Sequence, residues 1–453
     1  MTGGTSALGE ILPLWSAAPF AGMLLCVAAL PLAAPRFWHN HFAKVAALWT
    51  LLTLVPMLAL FGKAAYYEFM RTILKNYFPF IILLGSIYFI SGGILIKGTP
   101  KATPAINTAM LLAGTALASV MGTIGAAMLI VRPLVRANRH RKHGALAIIF
   151  FIFLAANVGG AITPLGDPPL FLGFLTGVPF FWTLKVLPQM AFATAALLLI
   201  FFLLDRRNHK KELPVSGAPI AGDALPFGIK GAYNLIFILG IMGAVLLSGF
   251  LHMGSVNIMG VPVAGEALAR DGLILVMLAL SAFFTPVSIR DENEFTWYPL
   301  KEVAVLFAAI FITMAPCLEI LTAGPRGHLG FIMVSLKGPR HYFWAVGILS
   351  SLLDNAPAYL AFLHSTLGGF YPGQAGANAV SMLIRDHPAY LEAISAGSVL
   401  FGAFTYIGNA PNFMVRSISE EAGIDMPGFF GYLFKYSLPV LAPLYLIITF
   451  IFF

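Results

Sequence analysis

Charged residues are scarce in this chain. Asp, Glu, Lys and Arg make up 10% of its 453 residues, against about 25% in a typical soluble domain. So few charges exclude a protein whose whole surface faces water. Cysteine is scarcer still: Cys26 and Cys317 are the two present, each in an apolar run. That excludes a disulfide framework and leaves packing as their role. The glycine-rich stretch 158–166 is followed by no Lys-Ser/Thr pair, so it is not a phosphate cradle, and no ATP-binding motif is present. No His/Cys spacing marks a metal cage and no nucleophile triad stands out, so neither an enzyme nor a resident cofactor is expected. Residues 1–10 lack the basic start of a signal peptide. The first apolar run, 13–33, is therefore expected to remain as a helix.

What the chain has instead is apolar surface. Hydrophobic residues make up 59% of it, in many runs of about 20, the length that crosses a bilayer. The runs are continuous rather than alternating, which excludes a β-barrel. The reading is an all-α polytopic membrane protein whose first partner is the lipid bilayer. A net charge of +8 does not signal nucleic acid here. The basic residues sit in short loops and help orient the helices. Two clusters, Arg136 to Lys142 and Arg206 to Lys211, are separated by two crossings and so share one side, which the positive-inside rule makes cytoplasmic.

Apolar segments are expected at 13–33, 42–61, 78–96 and 106–121, followed by 123–135, too short to span. Then come 144–162, 168–182 and 184–204. The longest polar interval, 205–230, is read as a linker between a first membrane repeat, 1–204, and a second, 231–453. The second half continues through 232–250, 271–287, 302–320, 343–363, 392–407 and 429–453.

Two of these segments are interrupted by groups that cannot stay helical. Thr163-Pro164-Leu165-Gly166-Asp167-Pro168-Pro169 is one, and Thr405-Tyr406-Ile407-Gly408-Asn409-Ala410-Pro411 the other. Thr163 and Thr405, Gly166 and Gly408, and Pro169 and Pro411 are each 242 residues apart, and Gly160/Gly402 and Ala161/Ala403 extend the match. A broken helix recurring in both halves is the best sequence pointer to the binding site of a secondary transporter. The expected architecture is two inverted-topology repeats, each with a re-entrant hairpin and a broken transmembrane helix.

The candidate site follows from what is costly in a membrane. Asp167, at the first break, is a candidate cation ligand or proton carrier, because a carboxylate near the bilayer centre must be paired, hydrated or protonated. Its plain structural alternative is a helix N-cap before Pro-Pro. Asp354, in Asp354-Asn355-Ala356-Pro357, is the second candidate on the same argument. Na⁺ is the candidate metal at both aspartates, since a hard cation takes oxygen ligands. Asn157, Thr163, Asn355, Thr405, Asn409 and Asn412 offer neutral oxygens, and Thr123 marks the tip of a presumed hairpin. Arg132 is read as snorkelling to the interface or as a counter-ion to a site carboxylate. Glu302 is expected at a solvated helix end.

At these residues the chain resembles the ion transporter superfamily, which includes NhaD-type sodium/proton antiporters, arsenite-efflux membrane subunits and citrate or dicarboxylate carriers. Asn157-Val158-Gly159-Gly160 with 163–169 resembles its first unwound segment, Leu353 to Pro357 its second hairpin, and Thr405 with Gly408 to Asn412 its second unwound segment. Arg132 to Asn138 and Leu170 to Phe174 narrow the resemblance to a bacterial group labelled sodium:proton antiporters. It implies a homodimeric, multi-pass carrier of the bacterial inner membrane, with Na⁺ and H⁺ as transported ions. Dicarboxylate symporters of the superfamily carry Ser-Asn-Thr at both hairpin tips. Here the tips read Gly122-Thr123-Ile124 and Leu353-Asp354-Asn355, which favours a cation over an anion. A citrate-like organic anion/cation symporter and an arsenite-efflux membrane subunit are the alternatives.

Overall fold

The computed structural model of the chain describes residues 5–212, 228–331, 335–374 and 376–453. The described chain is predominantly helical, as its long apolar runs require. Seven stretches are long and apolar enough to cross a membrane. Strand is confined, among the described residues, to two short antiparallel ribbons, Leu95–Lys97 with Gly228–Lys230 and Ser255–Ile258 with Val261–Ala264. There is no closed sheet among them.

Two of the seven stretches double back. The helical stretch Pro35–Gly92 would measure about 87 Å if straight, far beyond a hydrocarbon core of about 30 Å. It turns at Gly62, whose φ of 51° only glycine adopts easily. Contacts prove the reversal. Trp38 donates to Glu302 at 3.2 Å, and Arg71 lies 3.5 Å from Glu319. Both glutamates belong to the single helix Tyr298–Thr322. Sequence reading ends one apolar segment at residue 61 and begins the next at 78; beyond the turn at Gly62 the chain is helical across that interval. Two of its charges pair within the helix, Arg71 lying 2.9 Å from Glu68 one turn away.

The second reversal is at Gly122 (φ 76°, ψ 157°), inside Pro104–Asn138. Asn107 and Asn138, 31 residues apart, exchange amide hydrogen bonds of 2.9 and 3.0 Å. A straight helix would hold them about 46 Å apart. The segment is a helical hairpin with its tip at residues 122–123, as the glycines there suggest. A second hairpin joins Pro339–Leu352 to Asn355–Phe370 through extended backbone at Leu353 and Asp354. The Tyr342 and Phe362 rings, 6.0 Å apart, hold its arms together.

Both expected breaks are present. Ala145–Leu154 gives way to a 3₁₀ turn at Val158–Ala161, then to non-helical backbone until Pro168–Thr176. Pro388–Phe401 gives way to Gly402–Phe404, then to residues 405–409, then to Ala410–Glu421. The tight bends need glycine. A Cβ on Gly166 would lie 2.3 Å from the Gly160 carbonyl oxygen, and one on Gly408 would lie 2.7 Å from that of Gly402.

Of the polar interval 205–230, Asp205 to Glu212 continue the helix Leu187–Glu212 and Gly228–Lys230 forms a strand; residues 213–227 lie outside the described residues. Asp205 is buried and 2.7 Å from Arg141, which also reaches Glu212 at 2.9 Å. The two basic clusters therefore flank one end of the molecule. Arg141 differs from its neighbours in the cluster: it is a buried clamp between the base of the first hairpin and this helix.

Candidate functional site

The four interruptions meet. Asp167 is 2% exposed, and its carboxylate receives a donor from each of three other segments. Thr123, at the first hairpin tip, donates its hydroxyl to Oδ1 at 3.0 Å. Asn409, at the second break, donates its amide to the same oxygen at 3.0 Å. Asn355, at the second hairpin tip, donates to Oδ2. No Lys, Arg or His pairs with Asp167 among the described residues. The carboxylate is held entirely by neutral groups.

Asp167 has the backbone of an N-cap (φ −145°, ψ 144°) for Pro168–Thr176, but its side chain caps nothing. The next three residues explain this. An N-cap side chain accepts from the N–H at the second or third helical position. Pro168 and Pro169 occupy the first and second and have no N–H, and the third, Leu170, gives its N–H to the Asp167 backbone carbonyl at 3.1 Å. Asn409 matches it, with φ −154°, ψ 138°, Pro411 at the second position and no side-chain cap. Asp354 differs. Its proline, Pro357, stands at the third helical position, so the Ala356 N–H remains and donates to Asp354 Oδ1 at 3.1 Å.

A second layer holds the first. Asn157 donates to Asn412 at 2.8 Å, and its Oδ1 accepts from Asn409 at 3.3 Å. Asn412 in turn donates to the Gly402 and Thr405 carbonyls at 2.8 and 2.9 Å. Asn157 thus positions Asn409 rather than touching Asp167. Thr163 donates to the Ser119 carbonyl and Thr405 to that of Ser351, in matching fashion. Each tethers a break to the hairpin of its own half. Thr405 is read from sequence as a ligand, but its hydroxyl also accepts from the Ile407 and Gly408 N–H groups, both at 3.1 Å. Its donor and both lone pairs are taken, which makes it a brace.

Two cavities adjoin this cluster, with Leu84 and Ile124 lining both. The smaller, about 30 Å³, is lined by Thr123, Gly166 and Asp167 and holds roughly one water-sized occupant. The larger, about 490 Å³, is lined by Asp354, Asn409, Arg132 and Glu294 among others, a volume typical of small-molecule sites. Asp354 is half-buried and faces this space. Asn355 Oδ1 is buried without a partner among the described residues.

Arg132 pairs with Glu294, so it is neither a lipid-snorkelling side chain nor the counter-ion of Asp167 or Asp354. Glu302 lies near the start of Tyr298–Thr322, half-buried, where it accepts from the Trp38 indole at 3.2 Å. Sequence reading missed Glu294, whose only peculiarity is a positive φ of 48°, invisible before folding. It also missed the Asn107–Asn138–Arg141–Asp205 cluster, because its members are far apart in the chain.

Comparison with known proteins gives one family. The family model described as "Putative citrate transport" matches residues 9–453. The description names citrate and says nothing of sodium or protons. No curated protein matches the chain. With membrane-length helices throughout and a match over nearly its whole length, the chain belongs to this family and is a multi-pass membrane transporter.

Proposed function

We propose that this transporter works by secondary active exchange of Na⁺ for H⁺ across the bacterial inner membrane, as a homodimer. In this reading the two halves are inverted repeats and the hairpins are re-entrant, with their tips near the bilayer midplane. The single observation that carries it is Asp167, a fully buried carboxylate held by three neutral donors and by no basic residue. A charge so placed costs several kcal/mol unless a cation or proton compensates it. Na⁺ and H⁺ both do so, and one carboxylate cannot hold both together. That competition is sufficient for exchange.

The neighbouring groups fit a hard cation. Asn355 Oδ1 is a buried amide oxygen with no other partner, beside the carboxylate that its own nitrogen touches. Thr123 keeps lone pairs free while its proton goes to Asp167. Asp354, facing the larger cavity, is open to an entering cation, and Asp167 is the enclosed carboxylate. Asn157, Asn409, Thr163 and Thr405 hold this arrangement in register.

The test is transport by purified protein in liposomes under an imposed pH gradient, with Na⁺, Li⁺, K⁺, citrate and arsenite offered in turn. Na⁺-driven proton movement without any organic anion is the expected result. Failure of Na⁺ and Li⁺ to move protons would overturn it. A second reading, a citrate-like anion carried with cations, is favoured by the 490 Å³ cavity and by the family's description. Citrate uptake that requires Na⁺ or H⁺ would select it.

A further inference from the structure

The larger cavity is lined by one arginine and by the carboxylate that pairs with it. Glu294 has φ 48° as the left-handed residue that ends the helix Val287–Glu292: its N–H donates to the Asp291 carbonyl at 2.9 Å, and the Phe295 N–H to that of Arg290 at 3.0 Å. It is kept there by neighbours pinned on both sides. Before it, Arg290 donates to the Ser281 and Thr285 carbonyls at 3.1 Å and lies over the Phe89 ring at 4.1 Å. Asn293 donates to the Gly92 and Ile94 carbonyls at 3.0 and 3.2 Å. After it, Phe295 packs against Gly92, and the Thr296 carbonyl accepts from Tyr88 at 2.7 Å. Between these anchors the Glu294 side chain is 73% exposed, yet it reaches Arg132, whose own side chain is 14% exposed.

An exposed ion pair contributes little stability. A ligand carboxylate can therefore displace Glu294 from Arg132 at small cost. The guanidinium is the side chain best shaped to take a carboxylate with two parallel hydrogen bonds. Arg132 sits on the hairpin whose tip touches Asp167, and its Nε is buried without a partner among the described residues. We propose that Arg132 is the anion-binding residue of the cavity, reserved for one carboxylate of a transported organic acid, and that Glu294 occupies its guanidinium until that acid displaces it. This rests on the second, citrate-type reading. Glu302, Asp354 and Glu421 also line the cavity, so the acid enters only with cations or protons to offset its charge. The pair then serves a second purpose: without substrate, Glu294 neutralises an arginine that would repel the coupling cation.

The test is citrate binding to the purified full-length protein by calorimetry in the presence of Na⁺, with Na⁺ binding followed separately. Glu294→Gln removes the internal competitor and is expected to tighten citrate binding by about two- to fivefold, the worth of an exposed pair. Arg132→Gln is expected to weaken it at least tenfold, as loss of a charged hydrogen-bond partner does. The opposite signs are diagnostic, since damage to the fold would weaken both, and melting curves check that both variants fold. Should Arg132→Gln fail to fold, Arg132→Lys keeps the charge but not the fork and is expected to bind severalfold more weakly. Citrate binding that ignores both substitutions, or weakens in both, would overturn the role of Arg132 while leaving the citrate reading standing. If neither wild type nor Glu294→Gln binds citrate while Na⁺ still binds, the inference fails and the cation reading stands alone. Binding of neither ligand would remove both.

Discussion

The two broken helices share a scaffold and differ in chemistry. Gly160 and Gly166 crowd each other as Gly402 and Gly408 do. Thr163 ties the first break to Ser119 as Thr405 ties the second to Ser351. Asp167 and Asn409 have nearly the same backbone angles at the same position. Yet one is a carboxylate and the other an amide, and the amide donates to the carboxylate at 3.0 Å. The hairpins trade the other way. The first has Gly122 before Thr123, and the second has Asp354 before Asn355, with Thr123 and Asn355 both donating to Asp167. Each half therefore contributes one acid, from a different kind of element. Matched breaks and hairpin tips reach a common point, and the departures from the match set the chemistry there.

The sharpest way to break this comparison is to make the two breaks alike. Asp167→Asn leaves two amides facing each other, and Na⁺-driven proton movement in liposomes should fall to background. Because no basic residue pairs with Asp167, losing the charge relieves desolvation rather than orphaning a partner. The melting temperature should therefore hold or rise. Retained exchange would remove Asp167 from the site.

Asp354→Asn tests the other acid, with a smaller expected effect because Asp354 is half-buried and open to the cavity. Asn caps a helix about as well as Asp, so the bond from Ala356 and the fold should survive. Transport should lose its dependence on pH between the two faces while Na⁺ still binds. A variant with a normal pH profile would confine the titrating chemistry to Asp167.

The frame itself should respond in parallel. Gly166→Ala and Gly408→Ala both push a methyl group into a carbonyl, at a cost of about 1–3 kcal/mol typical of overpacking. The first should be worse, 2.3 against 2.7 Å. Thr163→Val and Thr405→Val should each cost about 1 kcal/mol, the worth of a buried hydrogen bond. Thr405→Val should be the more damaging, since it also strands two N–H groups. Thermal melting in detergent orders all four, and a reversed order would show that the halves are braced differently.

The smallest effect is expected outside the matched parts. Lys230, and then Lys97, hold the exposed Glu292 carboxyl below its ordinary range. A depressed carboxyl contributes stability above its unfolded pKa and loses it as pH falls through the folded one. Melting curves of wild type and Glu292→Gln should therefore differ slightly at neutral pH and converge in acid. Divergence in acid would reverse the sign.

What could be read in the sequence was local. Gly166-Asp167-Pro168-Pro169 and Gly408-Asn409-Ala410-Pro411 declare their breaks because glycine and proline act on the backbone where they stand. The hairpin tips at Gly122 and Asp354 were legible for the same reason. What escaped depends on distant partners. Arg141 looks like any loop arginine until Asp205, 64 residues later, closes on it. Gly62 sits in a run that is otherwise good helix, and only the two contacts to Tyr298–Thr322 show that the chain reverses there. Thr405 offered an oxygen on paper, and folding used up its lone pairs. The sequence offered Asp167 as a ligand with a helix cap as the alternative, since the dipeptide that starts a helix also removes the second-position capping donor.

That denial turns proline into a permissive element. A carboxylate at a helix start is normally claimed by the helix behind it, and so is unavailable to anything else. Pro169 withholds one claimant and the Asp167 carbonyl takes the other, the Leu170 N–H; Pro411 and the Asn409 carbonyl do the same at the second break. The side chains are thus released across the molecule by what their own helices lack, with no attraction needed to pull them away. Restoring a single N–H with Pro169→Ala would let the helix reclaim Asp167, silencing the site while every residue that lines it remains in the chain.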